Sequence, residues 1–268
     1  MDRFETFRET VYLAYAEHGR NLPWRETGDP YRILVSEIML QQTQVPRVIE
    51  KYREFLVRFP NVRTLAGASL GEVMAAWQGL GYNRRALLLK RMAEEVAARF
   101  GGEIPRDEAS LRSLPGIGAY TASAVCAFAF NMPAILIETN IRSVFIHHFF
   151  PDRAGVRDDE LLPLIGDALD RENPRRWYSA LMDYGAHLKS LIDNPSRKSA
   201  HHVRQSRFEG SDRQIRGGIL KRLVETGTRS APALAGDLRA ERSRVLAMLA
   251  KLEREGIVVK TRRSYRIA

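Results

Sequence analysis

Two carboxylates and a glycine hairpin are the parts of this 268-residue sequence best suited to chemistry. Glu37 lies in Ser36-Glu37-Ile38-Met39-Leu40-Gln41-Gln42-Thr43-Gln44-Val45, among Leu34, Val35, Ile38 and Leu40. Burial there would raise its pKa and keep a proton on it near neutrality, as a general acid requires. A partly exposed helical glutamate with polar neighbours is the reading that chemistry alone leaves open. The glutamines that follow carry donors and acceptors for base edges and can fill a gap in a base stack. A second carboxylate, in Glu138-Thr139-Asn140, falls at a helix entrance. Between the two lies Leu114-Pro115-Gly116-Ile117-Gly118. Pro115 lacks an amide donor and ends a helix over 108–114. Gly116 and Gly118 allow left-handed torsions and leave the backbone amides uncovered. Such a hairpin points N–H groups and a helix N-terminus at an anion, which on a duplex is a phosphate. Taken alone, the pentapeptide is equally an ordinary Pro-Gly turn between core helices.

The elements that must hold these residues are helical almost throughout. Apolar positions recur at helical spacing over residues 3–18, and Asn21-Leu22-Pro23-Trp24-Arg25 breaks that run. Asp29-Pro30 starts the helix carrying Glu37, and Pro46 kinks or splits it near Gln44. Helices are predicted over 69–78, 84–100, 119–130, 158–170 and 176–191, with another opening after Glu138. Residues 192–213 read as a polar connector. Three short helices (214–225, 231–238 and 242–255) and a β-hairpin over 257–268 then match the winged-helix pattern, a helix-turn-helix variant. Residues 228–239 and 242–251 would form the helix-turn-helix, with Arg242, Arg244 and Lys251 on or near the recognition helix and Tyr265 and Arg262 or Arg263 in the wing. A winged helix used only for protein contacts is the alternative.

Composition narrows the class. From Pro195 onward there are 18 Lys and Arg against 7 Asp and Glu, whereas the first 194 residues carry 24 against 25. A basic third on a neutral body reads as a polyanion surface. One cysteine, Cys126, excludes an intramolecular disulfide and a four-cysteine metal or iron–sulfur site in this chain, and its apolar neighbours mark a buried structural thiol. No apolar run is long enough to span a bilayer and no signal layout opens the sequence, so the expectation is a cytoplasmic, nucleoid-associated monomer.

These motifs resemble the helix–hairpin–helix (HhH-GPD) base-excision DNA glycosylases, the endonuclease III and MutY superfamily, and within it the mismatch adenine glycosylases. Leu22-Pro23-Trp24-Arg25, the Ser36–Val45 stretch and Trp77-Gln78-Gly79-Leu80-Gly81-Tyr82 carry the resemblance, in the family's order, over roughly residues 4 to 189. It implies an all-α, two-lobed glycosylase domain over 1–194, a basic connector over 195–211 and the winged helix over 212–268. It further implies that Glu37 protonates the departing base and Glu138 stabilises the oxocarbenium-like sugar, helped by Asn140. The base must first be flipped out of the duplex. Gln41, Gln42, Tyr82 and Arg84 would meet the duplex, with Gln42 inserted and Tyr82 a wedge. Leu114, Gly116, Ile117 and Gly118 would form the phosphate-binding hairpin. Arg242, Arg244 and Arg262 are the candidate DNA contacts of the winged helix. Tyr120 stands where bifunctional relatives have a Schiff-base lysine, so base removal without strand cleavage is expected.

Three departures accompany the resemblance. Glu138 replaces an aspartate, moving the charge by about 1.5 Å. The family's cluster cysteines are missing after Gly185-Ala186, where a basic segment with a solvated His201-His202 pair stands instead, so no cofactor or metal is expected. The family's 8-oxoguanine-recognition domain gives way to the winged helix. The expected partner is double-stranded DNA with a mismatch or lesion, and the expected substrate is adenine opposite 8-oxoguanine or guanine. The alternatives are thymine or uracil opposite guanine, or a lesion-binding regulator with weakened chemistry.

Overall fold

The computed structural model describes residues 2–202 and 207–268, so residues 203–206 of the predicted basic connector lie outside the described residues. The helices in chain order are α1 (Arg3–His18), α2 (Pro30–Leu40), α3 (Val45–Arg58), α4 (Val62–Gly67), α5 (Leu70–Ala76), α6 (Arg84–Arg99) and α7 (Glu108–Arg112). After these come α8 (Ala119–Phe130), α9 (Thr139–Phe149), α10 (Asp158–Ala168), α11 (Pro174–Leu191), α12 (Asp212–Thr226), α13 (Ala231–Leu238) and α14 (Arg242–Arg254). Strands β1 (Thr228–Ser230), β2 (Val258–Thr261) and β3 (Ser264–Ile267) and short 3-10 turns at Pro23–Arg25 and Pro195–Lys198 complete the described elements. The protein is mostly helical, as the periodicity predicts.

The chain forms two compact units. The first comprises Met1–Leu34, Arg106–Arg112 and Ile117–Arg204; the second comprises Val35–Pro105, Ser113–Gly116 and Gln205–Ala268.

The first unit is built on α11, whose apolar face packs against α1 and α9. Phe7 of α1 meets Phe145, Phe149 and Trp177 edge-on, with ring centroids 5.1, 5.2 and 5.9 Å away, the arrangement aromatic quadrupoles favour. Asp183, buried in α11, accepts bonds from Arg25 Nη1 at 2.6 Å and Nη2 at 2.8 Å, and from the Arg20 backbone N–H at 2.7 Å. The Leu22–Arg25 turn that interrupts the first apolar run is therefore fixed by ion pairing, which also holds the Asp183 carboxyl below its ordinary value although burial pushes it up. α8 is made of small residues and is buried on nearly every side; a helix without a polar face belongs in a core. It ends at Asn131 in the left-handed conformation (φ 50°), a residue type that tolerates this torsion. His148 of α9 lies 2.9 Å from the Tyr184 hydroxyl, and burial pulls its pKa down to about 4.

The second unit contains α3–α6 around Phe55, Leu65, Trp77, Leu89 and Met92, all buried. Proline divides the predicted long helix cleanly: α2 stops at Leu40 and α3 resumes at Val45, with Pro46 in its first turn. Ser69 and Glu72 form a capping box that starts α5. The C-terminal segment belongs to this unit, with α12 packed on α5. Its sheet has three strands in the order β1-β3-β2, both pairings antiparallel, and not the two of the predicted hairpin. The third strand is Thr228–Ser230, placed by sequence in the helix-turn-helix. Gly227 (φ 74°) ends α12 and Ser230 caps α13, leaving too few residues between them for a strand periodicity to register. Arg262 (φ 56°) makes the tight turn at the tip of the wing.

Candidate active site

Glu37 sits on α2, flanked by the buried Val35, Ser36, Ile38 and Met39, and is itself 6% exposed. Its helix ends in a loop that is clamped by a residue the sequence reading passed over. Arg85, buried at the start of α6, donates through Nη1 to the carbonyls of Ile38 (2.7 Å), Met39 (2.9 Å) and Gln41 (2.6 Å). Through Nη2 it reaches Thr43 Oγ1 (3.0 Å) and the carbonyls of Leu80 and Gly81 (both 3.2 Å). One guanidinium thus satisfies the open carbonyls at the α2 C-terminus, where a cation also complements the helix dipole, and ties that end to the loop before α6. Burial lowers its pKa to about 10, still charged near neutrality.

Both residues expected to enter a duplex lie on these two clamped loops. Gln42 (φ 55°) and Tyr82 (φ 46°) hold left-handed torsions, and both side chains are exposed. Non-glycine residues adopt that conformation at a cost of order 1–2 kcal/mol each, offset here by the Arg85 bonds on either side. Thr43 Oγ1 also donates to the Leu80 carbonyl at 3.2 Å, tying loop to loop directly. Gln41 is half-buried and Arg84 exposed. Arg213 of α12 donates to the Tyr82 hydroxyl at 3.1 Å.

In the hairpin, α7 ends two residues earlier than predicted, and Gly116 holds φ 79°. A Cβ on Gly116 would stand 2.7 Å from Cβ of Leu88, so only glycine permits this approach to α6. Gly116 and Gly118 are exposed, whereas the Leu114 and Ile117 side chains are buried and offer a ligand only their backbone.

Glu138 is in the first unit, as are Asn140 and Tyr120, while Glu37 is in the second. Glu138 is the N-cap of α9: its Oε1 accepts the backbone N–H groups of Asn140 (2.7 Å) and Ile141 (2.9 Å). Asn140 Nδ2 donates to Oε2 at 3.3 Å, and Lys189 Nζ donates to Asn140 Oδ1 at 2.8 Å. The lysine orients the amide and the amide orients the carboxylate. Burial pushes the Glu138 carboxyl up from its ordinary value, outweighing the backbone amides and the charges of Lys189 and Arg142 that pull it down. Lys189 is lowered, again chiefly by burial. Gly185 makes the arrangement possible, because a Cβ there would meet the Asn140 carbonyl oxygen at 2.4 Å. Glycine inside a helix is the signal that could have found this close approach; nothing in the sequence singles out Lys189 or Arg85. Tyr120, half-buried in the first turn of α8, packs on the core of the first unit.

In the winged helix Arg242 is exposed, Arg262 is exposed at the wing tip, and Arg244 is engaged by Asp212 at 2.8 Å and the Gly210 carbonyl at 2.9 Å. Burial raises the Cys126 thiol, and among the described residues no three His, Cys, Asp or Glu side chains gather as a metal site would.

The sequence matches the HhH-GPD superfamily of base excision DNA repair proteins over residues 35–160. It is 35% identical over 237 residues to an adenine DNA glycosylase of Mycolicibacterium smegmatis, covering 81% of this chain and 80% of that protein. The chain belongs to the HhH-GPD superfamily. A thymine/uracil-DNA glycosylase of Pyrobaculum aerophilum is 44% identical over 140 residues, 52% of this chain and 61% of the relative. Across such relatives the HhH-GPD chain spans from about half to four fifths of their length. Among solved structures, a thermostable thymine-DNA glycosylase superposes with a TM-score of 0.61 at 28% identity, covering 68% of this chain and 86% of that one. Among the described residues no helix is long and apolar enough to cross a membrane.

Proposed function

We propose that the protein is a monofunctional DNA glycosylase of base excision repair, hydrolysing the N-glycosidic bond of a flipped base in a duplex. Glu138 carries the reading. Its Oε1 is occupied by two backbone N–H groups, whereas among the described residues Oε2 accepts only the longer bond from Asn140. Oε2 is therefore the oxygen available to stabilise a cationic sugar and to take a proton from the attacking water. Its raised pKa makes it a better base than an exposed glutamate. Glu37, nearly buried on α2, is the acid that neutralises the leaving base. Gln42 and Tyr82, exposed on clamped left-handed turns, fill and wedge the stack. Tyr120 offers no amine for a Schiff base, so no lyase step follows. No cofactor enters this chemistry, and the working form is a monomer.

Adenine opposite 8-oxoguanine or guanine is the first substrate, following the names of the relatives at about 35% identity. Thymine or uracil opposite guanine is the second, supported by the name of the Pyrobaculum relative. Single-turnover release from duplexes holding each pair, with alkali to reveal the sites, tests both. One duplex should react, and Glu37→Gln should slow it by about 10²–10⁴-fold while retaining DNA affinity. Tight binding without release from any duplex would overturn the glycosylase and leave a lesion-binding protein. Borohydride trapping of an incised strand on the protein would overturn the monofunctional mechanism.

A further inference from the structure

Within the second unit, α6 and α14 enclose a cleft of about 410 Å³ that the proposed chemistry does not use. Arg84 and Arg91 line it from α6, Lys251 and Arg254 from α14, over a floor of Leu87 and Leu88. Among the described residues no carboxylate lies within ion-pair distance of any of these four cations. Among the lining residues the acid is Glu255, held by Arg216 through two bonds of 2.6 and 2.9 Å; Asp212, which interacts electrostatically with Lys251, is engaged by Arg244 at 2.8 Å. All four cations are exposed, and Arg254 also donates to the Ala250 carbonyl within α14 at 3.4 Å. At Gly256 (φ 75°) a Cβ would stand 3.0 Å from Nη2 of Arg91, which places that guanidinium against the end of α14.

We propose that this cleft seats the phosphodiester backbone of duplex DNA, as a second contact continuous with the hairpin. Leu88 gives the continuity: it lines the cleft and lies against Gly116, and Gly116 and Gly118 are exposed. Arg84 and Arg91 are seven residues apart, about 10.5 Å along a helix, which is about three nucleotide steps of one strand at 3.4 Å each. An acidic peptide would suit the charge, but neither the aliphatic floor nor the shared Leu88 selects it. The winged helix then grips DNA through the C-terminal half of α14, and not through Arg244, which Asp212 holds.

The test uses the full chain and an undamaged duplex of about 25 base pairs (longer than the cleft requires), with affinity measured by anisotropy from low to moderate salt. It does not depend on base release, so loss of the glycosylase reading leaves it intact. The double variant Arg91→Ala/Arg254→Ala should bind about 5–50-fold more weakly at low salt, and its log–log salt slope should flatten by about 0.9 per lost phosphate contact. Lys221→Ala, an exposed residue beside Glu225 outside the cleft, should match the wild type. An unchanged slope and affinity in the double variant would overturn the proposal. Inorganic phosphate that binds the wild type but not the double variant at millimolar concentration, without weakening duplex binding at constant ionic strength, would also overturn it. That outcome would assign the cleft to a small anion.

Discussion

Glu138 holds a structural position that bears directly on the chemistry proposed for it. Its carboxylate caps α9, so truncation to alanine removes both the cap, about 1 kcal/mol, and the charge. Glu138→Gln is the cleaner variant, since the amide oxygen can still accept the Asn140 and Ile141 N–H groups. Because burial holds Glu138 above its ordinary value of 4.5, base release should fall about tenfold per pH unit on an acid limb centred above that value. Glu138→Gln should abolish release at every pH with little loss of melting temperature. A limb centred at or below 4.5 would show that Glu138 is not the ionised group required. This residue was legible in the sequence because a carboxylate at a helix entrance, soon after a glycine hairpin, is a local pattern. Lys189 was not, because its bond to Asn140 spans 49 residues and depends on how α11 lies on α9.

At the scale of elements, two close approaches hold the candidate residues, and glycine permits both. Gly185 brings α11 against the Asn140 carbonyl, and Gly116 brings the hairpin against Leu88. Gly185→Ala puts a methyl group 2.4 Å from a backbone oxygen that cannot swing aside. The helices must separate, at about 1–3 kcal/mol, and Asn140 and Glu138 move with α9. Melting should drop by several degrees and release should slow more than Lys189→Met slows it; normal release at full stability would show that the contact relaxes freely. His148 adds a pH limit to the same helix. With its folded pKa near 4 against an ordinary 6.5, the unfolded chain takes the proton first as pH falls. The unfolded state then binds more protons, and stability is lost progressively between about 6.5 and 4. His148→Gln should remove that part of the acid sensitivity. Most helices were readable from period, but the short α4 (Val62–Gly67) and the Arg85 clamp were not. The clamp's partners are backbone carbonyls, which carry no residue identity, and Arg84 beside it is the same amino acid with the opposite fate.

At the scale of the whole molecule, residues 205–268 group with 35–105 rather than standing apart. Composition marked the basic C-terminal third, yet it could not show α12 against α5 or Arg213 on the Tyr82 hydroxyl. Deleting residues 212–268 should therefore lower the melting temperature of the remainder as well as weaken and flatten salt-dependent DNA binding. A remainder that melts as the full chain does would mean the winged helix adds nothing to the rest. The first unit has a different consequence, for synthesis. Its opening helix is completed by α11, and the Arg20–Asp183 pair closes 163 residues along the chain. At a translation rate of about 5–20 residues per second, the partner is made about 8–33 s after Arg20. For that interval the apolar stripe of Phe4, Phe7 and Val11 waits without its core, while residues 35–105 are already complete. During synthesis that stripe is therefore uncovered until α11 emerges, and the yield in cells should depend on chaperones that shield exposed apolar segments of nascent chains.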